Sequence, residues 1–251
     1  MIPRTIHYCW FGGNPLPKRV KHCMESWKKY CPDYEIIRWD EHNFDVNYNQ
    51  FTQDAYKDGK WAFVSDVARL YIIYHYGGIF LDTDVELIGP LDPFLTNYAF
   101  MGTEPNGRVA TGLGFGAEKE AAVIREMLEE YDRIPFNVSN PPDCPRMTTA
   151  FLSRYGYSEK PQIQTIRDIT VYPPEYFGTA DWVTGRIRKT ENSAAVHHYM
   201  ASWTAMNWKY KKKLRKLYCS VLGEGRGMRA YSRFANAGKK IRSQNKKERD
   251  S

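Results

Sequence analysis

No run in this 251-residue sequence approaches the ~20 uninterrupted apolar residues that a membrane-crossing helix needs. Met1-Ile2-Pro3-Arg4 leads straight into a strand-like segment rather than an apolar leader, so a chain that begins and stays in the cytosol is expected. Cysteine is scarce. The five residues Cys9, Cys23, Cys31, Cys144 and Cys219 are odd in number, widely scattered and without a CxxC pair. That argues against a disulfide framework and against a zinc site, and free thiols are expected. A phosphate-binding glycine loop is also missing: Gly112, Gly114 and Gly116 permit close backbone approach but match no such loop in order or spacing. Nor does any residue identify itself as a nucleophile.

Acidic charge is sparse in one region only. Positions 207–251 hold 15 Lys/Arg against 3 Asp/Glu, a net of +12, while the other 206 residues hold 21 against 26, a net of −5. The overall +7 is therefore a property of the tail. Within it, Trp208 to Leu222 reads as a basic amphipathic helix with Tyr210, Leu214, Leu217, Tyr218, Val221 and Leu222 on its apolar side. A peripheral contact with an anionic membrane through 207–222 and a helix merely packed on its own domain are both open readings. Residues 235–251 are polar and charged, the composition of a disordered end. The expected division is a domain over 1–206 and a basic helical tail over 207–251.

What is present is an alternation of strand and helix. Thr5 to Trp10 alternates and is β-prone, and Gly12-Gly13-Asn14-Pro15 turns it. Pro17 to Tyr30 has Val20, Met24 and Trp27 at helical spacing, and Tyr34 to Trp39 is the next strand. Trp61 to Tyr76 is apolar round much of a helix, interrupted by Asp66 and Arg69, which a spacing of three places on one face. Gly77-Gly78 stops that helix, Ile79-Phe80-Leu81 reads as a buried strand, and Asp82-Thr83-Asp84 follows at once. Further short strands are expected over Ala99 to Gly102 and Arg108 to Gly116, and helices over Glu118 to Tyr131 and Met147 to Tyr155. This order predicts an α/β fold with a largely parallel sheet, in which ligands gather beyond the carboxyl ends of strands.

Asp82 and Asp84, two apart on extended backbone, point the same way. Paired carboxylates at a strand's end suit a hard divalent cation, since Mg²⁺ and Mn²⁺ are commonly held by one or two carboxylates together with substrate phosphates. Late in the chain Ala195 to Tyr199 reads as a strand carrying His197-His198, whose side chains must leave on opposite faces. Glu86 is either a third acid at the site or a surface residue.

The run AFVSDVARLYIIYHYGGIFLDTDVE resembles the DXD region of glycosyltransferase family 32, which includes capsule sugar transferases and Och1-like mannosyltransferases, and is distantly similar to the glucosylating clostridial toxins. IPRTIHYCWFGG and VHHYMASW look like that family's first strand and closing motif, so the likeness extends over roughly residues 1–205. It implies an A-type glycosyltransferase fold, a Rossmann-like sheet flanked by helices, and metal-dependent, retaining transfer from a nucleotide-sugar to a glycan or lipid-linked acceptor, as in surface polysaccharide synthesis. The toxin-like Trp10 block favours a UDP-sugar, and no nucleic-acid partner is expected. The resemblance puts Trp10 against the base with Phe11 beside it, Asp66 and Arg69 on the donor sugar and diphosphate, and Asp84 on the metal with Asp82 assisting. His197 becomes a further metal contact, and Ser202 and Trp203 close over the donor. A mixed carboxylate and imidazole shell favours Mn²⁺ over Mg²⁺. Thr111 and Gly112 lie in the loop near sugar and acceptor. At the junction before the helix near residue 147 the sequence departs from its relatives, with Asp143-Cys144-Pro145 where Thr-Gly-Pro is expected.

Two rival readings remain at this stage. A haloacid dehalogenase-type phosphohydrolase also places Asp-x-Asp after an apolar strand, but wants Thr or Val where this chain has Glu86. A non-enzymatic membrane- or nucleic-acid-binding protein would be carried by the basic tail.

Overall fold

Thr5–Cys9 forms strand β1, which lies inside a sheet, hydrogen-bonded on both sides by parallel neighbours, β2 (Glu35–Trp39) and β3 (Gly78–Phe80). The structure is a computed structural model and describes residues 1–139, 141–181, 186–200, 206–223 and 225–231. With β5 (Ala99–Gly102), β6 (Phe115–Ala117), β7 (Gln164–Ile166) and β8 (Ile169–Tyr172), the seven strands run in the order β2-β1-β3-β6-β5-β8-β7. Five strands point one way, while β6 and β7 run against them. The α/β class expected from the alternation is observed. The antiparallel β6 sits at the sheet's middle, beside β3.

A small second sheet pairs β4 (Val85–Leu87) with β9 (Ala195–His197), antiparallel, with Val85 opposite His197. This sheet is tied to helix α1 (Lys18–Tyr30): the Trp27 indole N–H donates to the Val85 carbonyl at 2.8 Å, and the Leu87 N–H donates to Ser26 Oγ at 2.9 Å.

Each face of the main sheet carries its own core. Helices α2 (Gln50–Lys57), α3 (Trp61–Tyr76), α4 (Ala122–Asp132) and α5 (Cys144–Ser153) contribute to one, with Phe51, Val67, Ile72, Ile73 and Leu128 among its buried members. The other holds Tyr8, Trp27, Phe94, Phe100 and Phe177. Burial of each such side chain contributes roughly 1.5–3 kcal/mol. That gain supports α3, whose middle turns also bury the charged Asp66 and Arg69. The helix ends at Gly77 (φ +67°), where a Cβ would press on the Lys119 backbone nitrogen at 2.9 Å and the Pro3 ring at 3.1 Å.

Some element bounds differ from those expected. Helix α2 was not among the expected elements; its eight residues start at a capping box between Asn49 and Thr52 and bury Phe51, Thr52 and Ala55. Arg108 to Gly116 is largely a loop; only its end enters β6. Asp143, rather than a later residue, caps α5, its Oδ1 accepting the Arg146 N–H at 2.8 Å. All five cysteines are free thiols and buried.

The chain divides into two compact units, Met1–Ala180 with Ile187–Trp203, and Asp181–Arg186 with Thr204–Ser251. The second contains α6 (Met206–Leu222), on which Leu217, Val221 and Leu222 are exposed while Cys219 is buried. No helix among the described residues is long and apolar enough to cross a membrane.

Candidate metal and donor site

β3 ends at Phe80, so the acidic pair leaves the sheet on a turn and not on extended backbone: the Val85 N–H closes it by donating to the Asp82 carbonyl at 2.9 Å. The expected side-by-side strand geometry is therefore replaced by a fold-back, and the two carboxylates converge through the turn. The third member arrives from β9. Pairing of His197 with Val85 sets its ring beside Asp84, and ligand atoms of Asp82, Asp84 and His197 all lie within 4.8 Å of one another.

Asp84 is held from three directions. His197 Nε2–H donates to its Oδ1 at 2.9 Å, the Met200 backbone N–H donates to its Oδ2 at 2.7 Å, and the His198 backbone N–H donates to its carbonyl at 3.0 Å. Burial raises the carboxyl's pKa, but the His197 charge and these hydrogen bonds outweigh it and hold the group at about 2. For His197 burial lowers the pKa, and the neighbouring Asp84 carboxylate reverses the sign and raises it. The other ring nitrogen, Nδ1, is buried and has no hydrogen-bond partner among the described residues.

Asp82 is built on a different set of contacts. Its N–H donates to the Gly112 carbonyl at 3.2 Å, and its Oδ1 accepts from Arg69 Nη2 at 3.0 Å. The same Nη2 lies 3.1 Å from Asp66 Oδ1, confirming that the spacing of three puts both groups on one face of α3. Arg69 further donates from Nε to the Ser65 carbonyl at 3.1 Å and from Nη1 towards Thr111 Oγ1 at 3.4 Å, with its guanidinium 5.0 Å from the Phe80 ring centroid. Its donors thus go to protein groups, and Arg69 acts on the site by fixing Asp82. Burial pushes Asp66 up to about 7 against the opposing pull of Arg69, while the two carboxylates raise the Arg69 pKa. Burial likewise raises Asp82, with Arg69 and His197 pulling the other way.

The remaining expected residues are placed as follows. Trp10 is half-buried at the end of β1, and its indole N–H donates to the Asn14 carbonyl at 2.6 Å. Phe11, two residues past the end of β1, is 5% exposed and packs edge-on to Phe44, centroids 5.9 Å apart, in the α3-side core. Glu86 is not a third acid of the cluster but pairs with His198, Nε2–H to Oε2 at 2.7 Å. The other ring nitrogen, Nδ1, lies 3.2 Å from the Arg19 guanidinium. Adjacent histidines on opposite faces are thus observed. Ser202 and Trp203 lie outside the described residues.

Other contacts at the site come from a backbone group or from segments distant in the chain. The Met200 N–H is a backbone group, invisible to residue type. Cys144, the departure before α5, puts its Sγ 2.9 Å from Thr111 Oγ1 and 4.0 Å from Arg69 Nη1, a contact made across 75 residues. Gly112 is adjacent to Asp82 because nothing larger fits there: a Cβ would collide with Asp82 Oδ2 and stand 3.0 Å from Arg69 Nη1.

Residues 17–101 match the family model described as "Glycosyltransferase sugar-binding region containing DXD motif". Over 115 residues the chain is 32% identical to inositol phosphoceramide mannosyltransferase 1 of Schizosaccharomyces pombe, covering 42% of this chain and 36% of that protein. It is 24% identical over 192 residues to mannosyl phosphorylinositol ceramide synthase SUR1 of Saccharomyces cerevisiae, covering 70% of this chain and 48% of that one. The chain therefore spans less than half the length of these relatives. Among solved structures, the PaToxG glycosyltransferase matches with a TM-score of 0.47 and 17% identity, over 61% of this chain and 69% of that chain. The resemblance to DXD-containing sugar transferases carried by the residues around Asp82 and Asp84 is borne out, and the region from 17 to 101 is of that type.

Proposed function

We propose that this chain is a metal-dependent glycosyltransferase that moves a sugar from a nucleotide-sugar, with a UDP-sugar the first donor to test, to a glycan or lipid-linked glycan acceptor with retention of configuration. The observation that carries the reading is the convergence of Asp82, Asp84 and His197 at the carboxyl end of β3, beside the Arg69–Asp66 pair. Two carboxylate oxygens and an imidazole nitrogen form the mixed donor set that suits Mn²⁺ and also accepts Mg²⁺. With a divalent cation on Asp84, Asp82 and His197, the negative charge that gathers on the departing nucleoside diphosphate is offset.

The chain's own residues supply positioning. Met200 and His198 hold Asp84 in one orientation through backbone N–H groups, and Arg69 does the same for Asp82. In the transfer the bond from the anomeric carbon to the diphosphate oxygen breaks and an acceptor hydroxyl oxygen bonds to that carbon. The hydroxyl proton passes to the leaving phosphate, so a front-face reaction needs no protein nucleophile.

For the acceptor, the relatives' names point to phosphorylated inositol on a ceramide, and a lipid-borne acceptor of that chemistry is the class to test beside soluble glycans. On α6, exposed Leu217 and Val221 lie four apart among exposed Lys213 and Lys216, the make-up of a helix resting on an anionic membrane. The test is hydrolysis and transfer from a panel of nucleotide-sugars with and without Mn²⁺, on the full chain and on a chain lacking 207–251. The reading expects metal-dependent donor hydrolysis in both and weaker binding to anionic vesicles in the shorter one. Donor turnover indifferent to metal would refute it.

A further inference from the structure

The carboxyl ends of β3, β1 and β2 stand side by side, with the acidic pair beyond the first. Two strand spacings, about 10 Å, separate β3 from β2, which is the reach of a nucleoside diphosphate from its phosphates to its base. At the far end of that row is a built arrangement. The Trp10 N–H bonds to the Trp39 carbonyl at 2.8 Å, so the loop after β1 rises directly beside the residues that follow β2. Glu41, half-buried just past β2, grips that loop: its Oε1 accepts the Gly12 N–H at 2.6 Å and the Tyr56 hydroxyl at 3.2 Å. From below, the Trp61 ring fills the space where a Gly12 side chain would go, with its Cε2 and Nε1 each 2.6 Å from an added Cβ. Tyr56 and Trp61 are themselves packed, centroids 4.9 Å apart.

Both donors converge on one oxygen of Glu41, and its Oε2 takes no hydrogen bond among the described residues. We infer that Glu41 Oε2 reads the nucleobase, selecting bases whose pairing edge carries a ring N–H. The inference rests on the donor reading above and adds its base specificity. An ionised carboxylate only accepts hydrogen bonds. Uracil offers N3–H and guanine offers N1–H with its neighbouring amino group, whereas cytosine N3 and adenine N1 present lone pairs that the carboxylate repels, leaving only an exocyclic amino N–H of those bases to donate. The half-buried Trp10 indole, fixed through its N–H to Asn14, supplies a flat face at the same end of the row for the base to stack on.

The experiment is thermal shift and calorimetric titration of the full chain with UDP, GDP, CDP and ADP in the presence of Mn²⁺. Wild type should bind UDP, GDP or both at least roughly tenfold more tightly than CDP and ADP, the ratio expected for the loss of one charge-assisted hydrogen bond. Comparing the UDP and GDP arms tells which of the two bases it takes. Glu41→Gln keeps an amide oxygen for the Gly12 N–H and turns a donor to the base, so it should lose roughly that tenfold preference and gain affinity for CDP or ADP. Equal binding of all four nucleotides by wild type, or unchanged selectivity in Glu41→Gln, overturns the role of Glu41 and leaves the transferase reading standing. Failure of every nucleotide to bind with metal present overturns both.

Discussion

Replacing Gly112 by alanine adds one methyl group at the point where the loop before β6 touches Asp82. Backbone strain is not the issue, since Gly112 does not occupy the left-handed region. The methyl would collide with Asp82 Oδ2 and crowd Arg69 Nη1 at 3.0 Å. A long, free side chain would swing away at little cost, but Asp82 is short, its carboxylate held by Arg69 Nη2 at 3.0 Å and its backbone N–H bonded to the Gly112 carbonyl at 3.2 Å. Relief therefore requires breaking the Asp82–Arg69 contact, a charge-assisted hydrogen bond worth about 1.5–3 kcal/mol. At roughly 2–4 °C per kcal/mol for a domain of this size, Gly112→Ala should melt roughly 3–12 °C below wild type. It should also blunt the metal-dependent shift, because Asp82 leaves the cation set. Gly156→Ala is the control: its φ is +95° with nothing within 4 Å, so it should cost about 1 kcal/mol and leave the metal response intact. A Gly112→Ala protein with wild-type stability in urea and an undiminished response to Mn²⁺ would refute the reasoning.

Other outcomes follow from the same contacts. His7 is buried, with Nδ1 accepting from the Trp39 indole N–H at 3.1 Å and Nε2–H donating to the Gly77 carbonyl at 3.0 Å, and burial lowers its pKa from 6.5 to about 4. A folded-state value below the unfolded one means stability that is fully present above pH 6.5 and is lost as the pH falls towards 4, about 3 kcal/mol in all. Urea unfolding at a series of pH values should show that slope, and His7→Gln should flatten it; an equal slope in the variant would contradict the assignment. His197→Ala should weaken Mn²⁺ binding at least about tenfold, whereas His198→Ala, which loses the Glu86 and Arg19 contacts, should stay within about threefold. Calorimetric titration of the two variants checks the pair, and equal losses would contradict the opposite-face arrangement.

Most of this site was legible from residue types because local spacing determined it. Asp66 and Arg69 share a face at a spacing of three whatever the helix packs on, and consecutive histidines on a strand cannot face the same way. The Asp82–Asp84 pair was legible for a reason that differs in detail, since a turn and not strand alternation brings the acids together. Phe11, expected beside the base, packs into the α3-side core just past the end of β1. Contacts between distant segments had no signal at all. The Thr111–Cys144–Arg69 cluster and the pairing of β4 with β9 depend on where the chain returns, and β6 reads as any short apolar run until its antiparallel place beside β3 is seen. Helix α2, opened by the Asn49–Thr52 capping box, was missed although Phe51 and Ala55 are spaced as one buried helix face.

The central claim is that Asp84 holds a cation against a nucleotide-sugar's diphosphate. It is tested most directly by the melting temperature of wild type and Asp84→Asn with a nucleotide-sugar, with and without Mn²⁺. At a hundred times the dissociation constant a native-state ligand stabilises by about 2.7 kcal/mol, or roughly 5–11 °C here. Wild type should show that rise only when metal and nucleotide-sugar are both present, and Asp84→Asn should show none. A metal-dependent rise of the same size in Asp84→Asn would contradict the account.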